Sequence, residues 1–237
     1  SFPEDFTLNL ILGLSLSQEN NNIEAKKYLK KAVDLNSSDL NALSAYAFTL
    51  NQLKDYDNAV KYLNKALTIK PNDVNLLGTL GLIYDNKGEH VLSDSVYEAA
   101  LNIDSSNALI NNNYAYALSE RGIQLDRALK MVNIALDADP QNSSYLDTKG
   151  WVLFKMGKYK DAKKFIEKAI DAGGESAVML EHLGDIVYKI GEQDYARKLW
   201  RKLKKVKFEE NNLLFYRSFK YIINYPGLRP IKAYRGC

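Results

Sequence analysis

The chain has 237 residues, enough for one or two domains with a sizeable core, so no disulfide staple is required. Apolar residues make up 46% and charged residues 26%, the balance of a folded chain in water, and no stretch approaches 18 consecutive apolar residues, which excludes a membrane-spanning helix. One cysteine, Cys237, excludes an internal disulfide framework, and with only His90 and His182 beside it no structural zinc site is expected. The formal charge of +3 is unevenly spread: from Arg197 onward twelve basic residues face only Glu209 and Glu210, about +10, which leaves about −7 on the rest.

Ser1 to Asp5 carry no basic segment followed by an apolar core, which excludes nothing for a chain that reads as a fragment. Pro3-Glu4-Asp5 has the phase of Pro71-Asn72-Asp73 and Pro140-Gln141-Asn142, so residues 1–5 are expected to be the tail of a preceding repeat. The alternative is that Pro3 opens the first helix.

From Phe6 the chain is organised by a fixed period. Ala25, Ala59, Ser93, Ala128, Ala162 and Ala196 are spaced by 34, 34, 35, 34 and 34 residues, and Ala32, Ala66, Ala100, Ala135, Ala169 and Leu203 by the same intervals. A third ladder, Gly13, Ala47, Gly81, Ala115, Gly150 and Gly184, takes its 35 one step later, which places one extra residue between Ala115 and Ala128, around Gly122 to Asp126. The ladders divide the chain into six units: 6–39, 40–73, 74–107, 108–142, 143–176 and 177–210. Each reads as two helices. In the third, Leu77, Leu80, Gly81 and Tyr84 share one helical face, Asn86-Lys87-Gly88 turns, and Leu92, Val96, Ala99 and Ala100 mark a second amphipathic helix. Small residues recur where two helix axes must approach closely. Beyond 210 the period fades; residues 211–224, with Leu213, Phe215 and Phe219, read as a helix covering the last face, and 225–237 as an extended basic tail.

The order Leu77, Leu80-Gly81, Tyr84, Ser93, Tyr97, Ala100 resembles the tetratricopeptide repeat family, and so do Leu146, Gly150, Leu153, Ala162, Ile166, Ala169 and Leu180, Leu183-Gly184, Val187, Ala196, Trp200. Lys149 and Gly174 depart from its pattern locally. The resemblance implies an all-α, right-handed α-solenoid of about six stacked helix-turn-helix repeats with a C-terminal capping helix. The stretches from Tyr145 to Ile170 and from Leu180 to Trp200 are similar to bacterial members, several of them envelope-associated; compartment stays open between cytoplasm and periplasm or envelope.

In that family the first helix of each unit lines a concave groove, which implies that Leu14, Phe48, Leu82, Tyr116, Trp151 and Asp185 face a ligand, with Asn41, Ser44, Asn75, Asn112, Asn113 and Asp147 supplying polar side chains for an extended peptide backbone. The alternative is that this phase packs between neighbouring first helices. Trp151 and Tyr116 are the expected anchors, being large and amphipathic. Leu10, Leu14, Ser44, Asn75 and Thr79 stand where one subtype carries basic residues for chaperone C-terminal carboxylates, so that role is not expected.

The basic run Arg197, Lys198, Arg201, Lys202, Lys204, Lys205 and Lys207 reads as a solvated helix end in preference to a nucleic-acid or membrane site. Glu181, His182 and Asp185 read as polar groove surface, and His90 as ordinary surface. Asp57 and Asp161 read as partners of helix N-termini. No nucleophile–base pair or glycine-rich phosphate loop appears, so the expected function is a non-catalytic scaffold for a protein or peptide, without cofactor or metal. The rival readings are an assembly module working through its convex face or basic end, and a bacterial envelope adaptor delivering clients to a protease or assembly machine.

Overall fold

A computed structural model describes residues 5–210, and side chains through Lys205; the capping helix and tail expected over 211–237 lie outside the described residues. Twelve α-helices and no strands occur among the described residues. They form two compact units dividing after Pro140.

The first unit holds four helical hairpins: α1 (Phe6–Gln18) with α2 (Asn22–Leu35), α3 (Leu40–Gln52) with α4 (Tyr56–Ile69), α5 (Val74–Lys87) with α6 (His90–Ile103), and α7 (Ala108–Arg121) with α8 (Leu125–Ala138). The second holds α9 (Ser143–Lys155) with α10 (Tyr159–Gly173), and α11 (Ala177–Lys189) with α12 (Gln193–Glu210). Within each unit a first helix packs on the second helix of its own hairpin, and that second helix packs on the next first helix.

Local chemistry sets each boundary. The first helices begin at Asp5, Asp39, Asp73, Asn107, Asn142 and Ser176, and at every one the side-chain oxygen accepts from a backbone N–H of the first turn, as in Ala42 N to Asp39 Oδ1 at 2.8 Å. Each first helix is followed within two residues by one at positive φ: Asn20, Lys54, Gly88, Gly122, Gly157 and Gly191, always fifteen positions after the cap. The next N–H then reaches back five residues, as in Glu89 N to Tyr84 O at 2.9 Å, closing the turn in a Schellman motif. In the fourth hairpin that donor is Ile123, and Gln124, at φ 48°, follows before α8 begins. The extra residue therefore sits at Gln124.

The alanine ladders of the second helices are buried throughout, and their first-helix partners are small for a visible reason. A Cβ built on Gly81 would lie 2.8 Å from Cε1 of Tyr97, a fully buried ring. The core of the first unit runs through Leu29, Leu43, Leu50, Leu63 and Ile83. Polar links join successive hairpins: Arg121 donates to both oxygens of Asp94, at 3.0 and 2.5 Å. Glu98 accepts from Tyr114 at 3.0 Å and from Arg127 at 2.9 Å. The Arg127 guanidinium, followed by the Tyr114 hydroxyl, holds the Glu98 carboxyl below its ordinary value against the opposing effect of burial.

Candidate functional site

The small residue of each first helix faces its own second helix, so the next residue, about 100° further round, is turned away from that seam. This is the phase of Leu14, Phe48, Leu82, Tyr116, Trp151 and Asp185. In the first unit Leu14 and Phe48 are 38% and 40% exposed, while Leu82 and Tyr116 are half-buried. In the second, Trp151 is 7% exposed and Asp185 half-buried. The phase is therefore not uniform: Leu14 and Phe48 are open to solvent, and Trp151 is a packed ring.

The polar positions divide in the same way. Asn41 and Asn75 are exposed. Ser44 donates its hydroxyl to Leu40 O at 2.7 Å, a bond within its own helix. Asn112 is buried; its Nδ2 donates to Asn113 Oδ1 at 3.3 Å, and its Oδ1 has no partner among the described residues. The neighbouring Asn111, which sequence reasoning misses, donates to Ser105 O at 2.9 Å and Asn107 O at 3.0 Å, pinning the start of α7.

Asp147 and His182 form the other pairing that sequence reasoning misses. His182 is buried, which corrects its expected place on the groove surface: its Nδ1 lies 2.9 Å from Asp147 Oδ1, and its ring stacks on Trp151 with centroids 4.0 Å apart and planes at 13°. Trp151 also stacks on Phe154, at 4.8 Å, and carries the Lys155 ammonium 4.9 Å from its centroid. One available signal is register: Asp147 is five residues after its helix cap and His182 six after the next, so the two occupy facing positions of consecutive first helices.

His90 Nδ1 lies 2.9 Å from Asp85 Oδ1 at the exposed start of α6. Asp57 and Asp161 lie in the first turns of α4 and α10, where a carboxylate favours the helix dipole. On α12, Arg197, Lys198, Arg201, Lys202, Lys204 and Lys205 are exposed; Lys202 pairs with Glu175, and Arg197 with Asp194 at 2.9 Å. Among the described residues no three His, Cys, Asp or Glu side chains converge as a metal site requires, and no helix is long and apolar enough to cross a membrane.

A family model described as tetratricopeptide repeat matches residues 7–39, 40–73, 74–107 and 143–172, just over half of the chain. A comparison with curated proteins gives no match. Among solved structures, a tetratricopeptide repeat protein from Parabacteroides merdae is similar with a TM-score of 0.72 at 19% identity, over 87% of this chain and 80% of that one. PilW, a type IV pilus biogenesis factor, is similar at 0.69 and 17% identity, over 92% and 98%. Pseudomonas aeruginosa PilF is similar at 0.63 and 18%, over 91% and 96%. At these identities the likeness is one of fold.

Proposed function

Because the chain belongs to the tetratricopeptide repeat family, whose domains generally mediate protein–protein interaction and are typically non-catalytic, we propose that it is a scaffold holding a partner segment on its first-helix face. The observation that carries this reading is the pair Leu14 and Phe48. They occupy the same phase of consecutive first helices, 34 residues apart, and both leave more than a third of their surface open. A lone exposed apolar side chain needs no explanation; two in register form a row of anchors for an extended segment. Asn41 and Asn75 border that row with amides that suit a peptide backbone. Leu82 and Tyr116 continue the phase within the first unit, while Trp151 and Asp185 are the corresponding positions of the second. A rigid row needs little ordering on binding, and that is where its affinity would come from.

Selection from a displayed peptide library tests the reading. Selected peptides should carry apolar residues and lose at least about tenfold in affinity against Phe48→Ala, roughly 1.4 kcal/mol. Equal binding to Phe48→Ala and Leu14→Ala would contradict it.

The second reading, assembly through the basic end, is favoured by the exposed Lys198, Arg201 and Lys204 on α12. It expects charge reversal at Arg201 and Lys204 to disrupt assembly more than any change at Phe48 does. An envelope role extends the likeness to PilW, and cell fractionation of the full polypeptide decides it.

A further inference from the structure

Each second helix packs on first helices with one face and turns another to solvent. On that outer face a lysine recurs six positions after the residue that precedes the helix: Lys27 in α2, Lys61 in α4, Lys130 in α8, Lys164 in α10 and Lys198 in α12, all exposed. In α6 this position is Ser95. Four residues further on stand Lys31, Lys65, Lys168 and Lys202, while α6 has Ala99 and α8 has Ile134. Of the six second helices, α6 is thus the one that lacks both lysines. Around the gap Val91 is 83%, Leu92 46% and Ile103 47% exposed, and Ser95, Ala99 and Asn102 are exposed between them. A scattered apolar side chain needs no explanation, but an uncharged helix face running from Val91 to Ile103 has the chemistry of a contact surface. It lies inside the first unit, with a hairpin on either side, and on a second helix, so the inference goes beyond the first-helix row of the proposed function.

The face is about 18 Å long, between three and four helical turns. Ser95 and Ala99 lie one above the other at its centre, with the larger Leu92 and Ile103 toward its ends, a profile that lets a second helix axis come close at the middle. Charge brackets it. Glu89, immediately before α6, shares the Lys87 ammonium with Asp57, each at 2.8 Å. Asp104, immediately after α6, accepts from Ser106 and Asn107, which are neutral donors. Along one edge Arg121 and Arg127 of the next hairpin offset Asp94 and Glu98. The unit 74–107 holds five carboxylates against the single cation Lys87, and is the most acidic of the six. These ends make a second copy a poor occupant, because α6 against α6 sets acidic ends on acidic ends in either orientation.

We propose that the outer face of α6 docks an amphipathic helix of a partner protein, one that seats apolar side chains on Leu92, Ser95, Ala99 and Ile103 and carries a lysine or arginine at each end, beside Glu89 and Asp104. The uncharged centre selects an apolar stripe, and the acidic ends select its orientation-independent pair of cations.

The probe is a synthetic helical peptide of about four turns, with leucine and alanine on one face, glutamine on the other and lysine at each end. Titrated into the 237-residue chain and followed by fluorescence anisotropy, it should bind one to one. Glutamate in place of its terminal lysines should weaken binding by about tenfold or more. The double substitution Ser95→Lys with Ala99→Lys, which installs the side chains that α2, α4, α10 and α12 carry in the same register, should abolish binding and leave the urea midpoint unchanged. Phe48→Ala should leave binding as it was. No binding, or binding that survives the double substitution, would overturn the proposal. A concentration-dependent dimer lost on the double substitution would overturn it in favour of a second copy. A monomer whose urea midpoint falls on the double substitution would overturn it in favour of a segment of this chain covering the face.

Discussion

His182 Nδ1 lies 2.9 Å from Asp147 Oδ1, and the pair is buried against the ring of Trp151, so a link across 35 residues of chain joins α9 to α11. Removing one partner leaves the other polar group buried and unpaired in part. Asp147→Ala is expected to lower unfolding stability by about 2 kcal/mol, and Trp151→Ala by about 3 kcal/mol or more. Phe48→Ala, at a site open to solvent, should cost about 1 kcal/mol or less. Urea unfolding of the three variants checks the order, which separates the packed from the open members of the first-helix phase.

That difference is not legible in the sequence, and its reason is local. Leu14, Phe48 and Trp151 have identical phase, but the residue at the position His182 holds in the next helix is Ala45 for Leu14 and Thr79 for Phe48. A flat imidazole covers the indole, and a residue as short as Ala45 or Thr79 offers no ring to cover its neighbour. The period itself is legible because a helix-to-helix seam demands small residues at fixed spacing: the ladder of Ala25, Ala59 and their equivalents locates the hairpins, and the 35-residue interval locates Gln124 to within a few positions. The pairing of Asp147 with His182 is half legible: the period sets the two at facing positions of consecutive first helices, while their burial against Trp151 depends on side-chain packing that the period does not encode.

Tyr97 fills the seam behind Gly81, yet its hydroxyl is buried without a partner among the described residues, and burial pushes its pKa up. An unpaired buried hydroxyl costs more than it contributes. Tyr97→Phe should therefore raise stability, by about 1 kcal/mol, whereas Gly81→Ala, which drives a Cβ into the same ring, should lower it by about 1–3 kcal/mol. Thermal unfolding of the two variants gives opposite signs.

Lys54 holds φ 60° at the position where four of the other five inter-helix turns have glycine. An L-residue in this region carries a strain of about 1–2 kcal/mol, partly offset by the greater chain entropy that glycine loses on folding. Lys54→Gly is expected to stabilise the first unit by about 0.5 kcal/mol, read as a shift of the urea midpoint at unchanged slope.

Glu98 and Asp73 both have lowered pKa values, through the Arg127 guanidinium and the Lys70 ammonium respectively. A carboxyl lowered by folding stabilises the native state fully above its unfolded value, and the contribution disappears as the pH falls through the lowered one. Stability should therefore fall between about pH 5 and pH 2, and Glu98→Gln should flatten that acid limb while leaving the Asp73 contribution in place. Chemical unfolding at stepped pH measures the slope directly.

The most direct test of the scaffold reading is crosslinking in the source cell, with a photoreactive residue at Phe48 and, as a control, at Lys61, an exposed position on the second helix α4 of the same hairpin. The account predicts a discrete protein adduct from position 48 that position 61 does not give. Capture from 61 alone, or from neither, would contradict it.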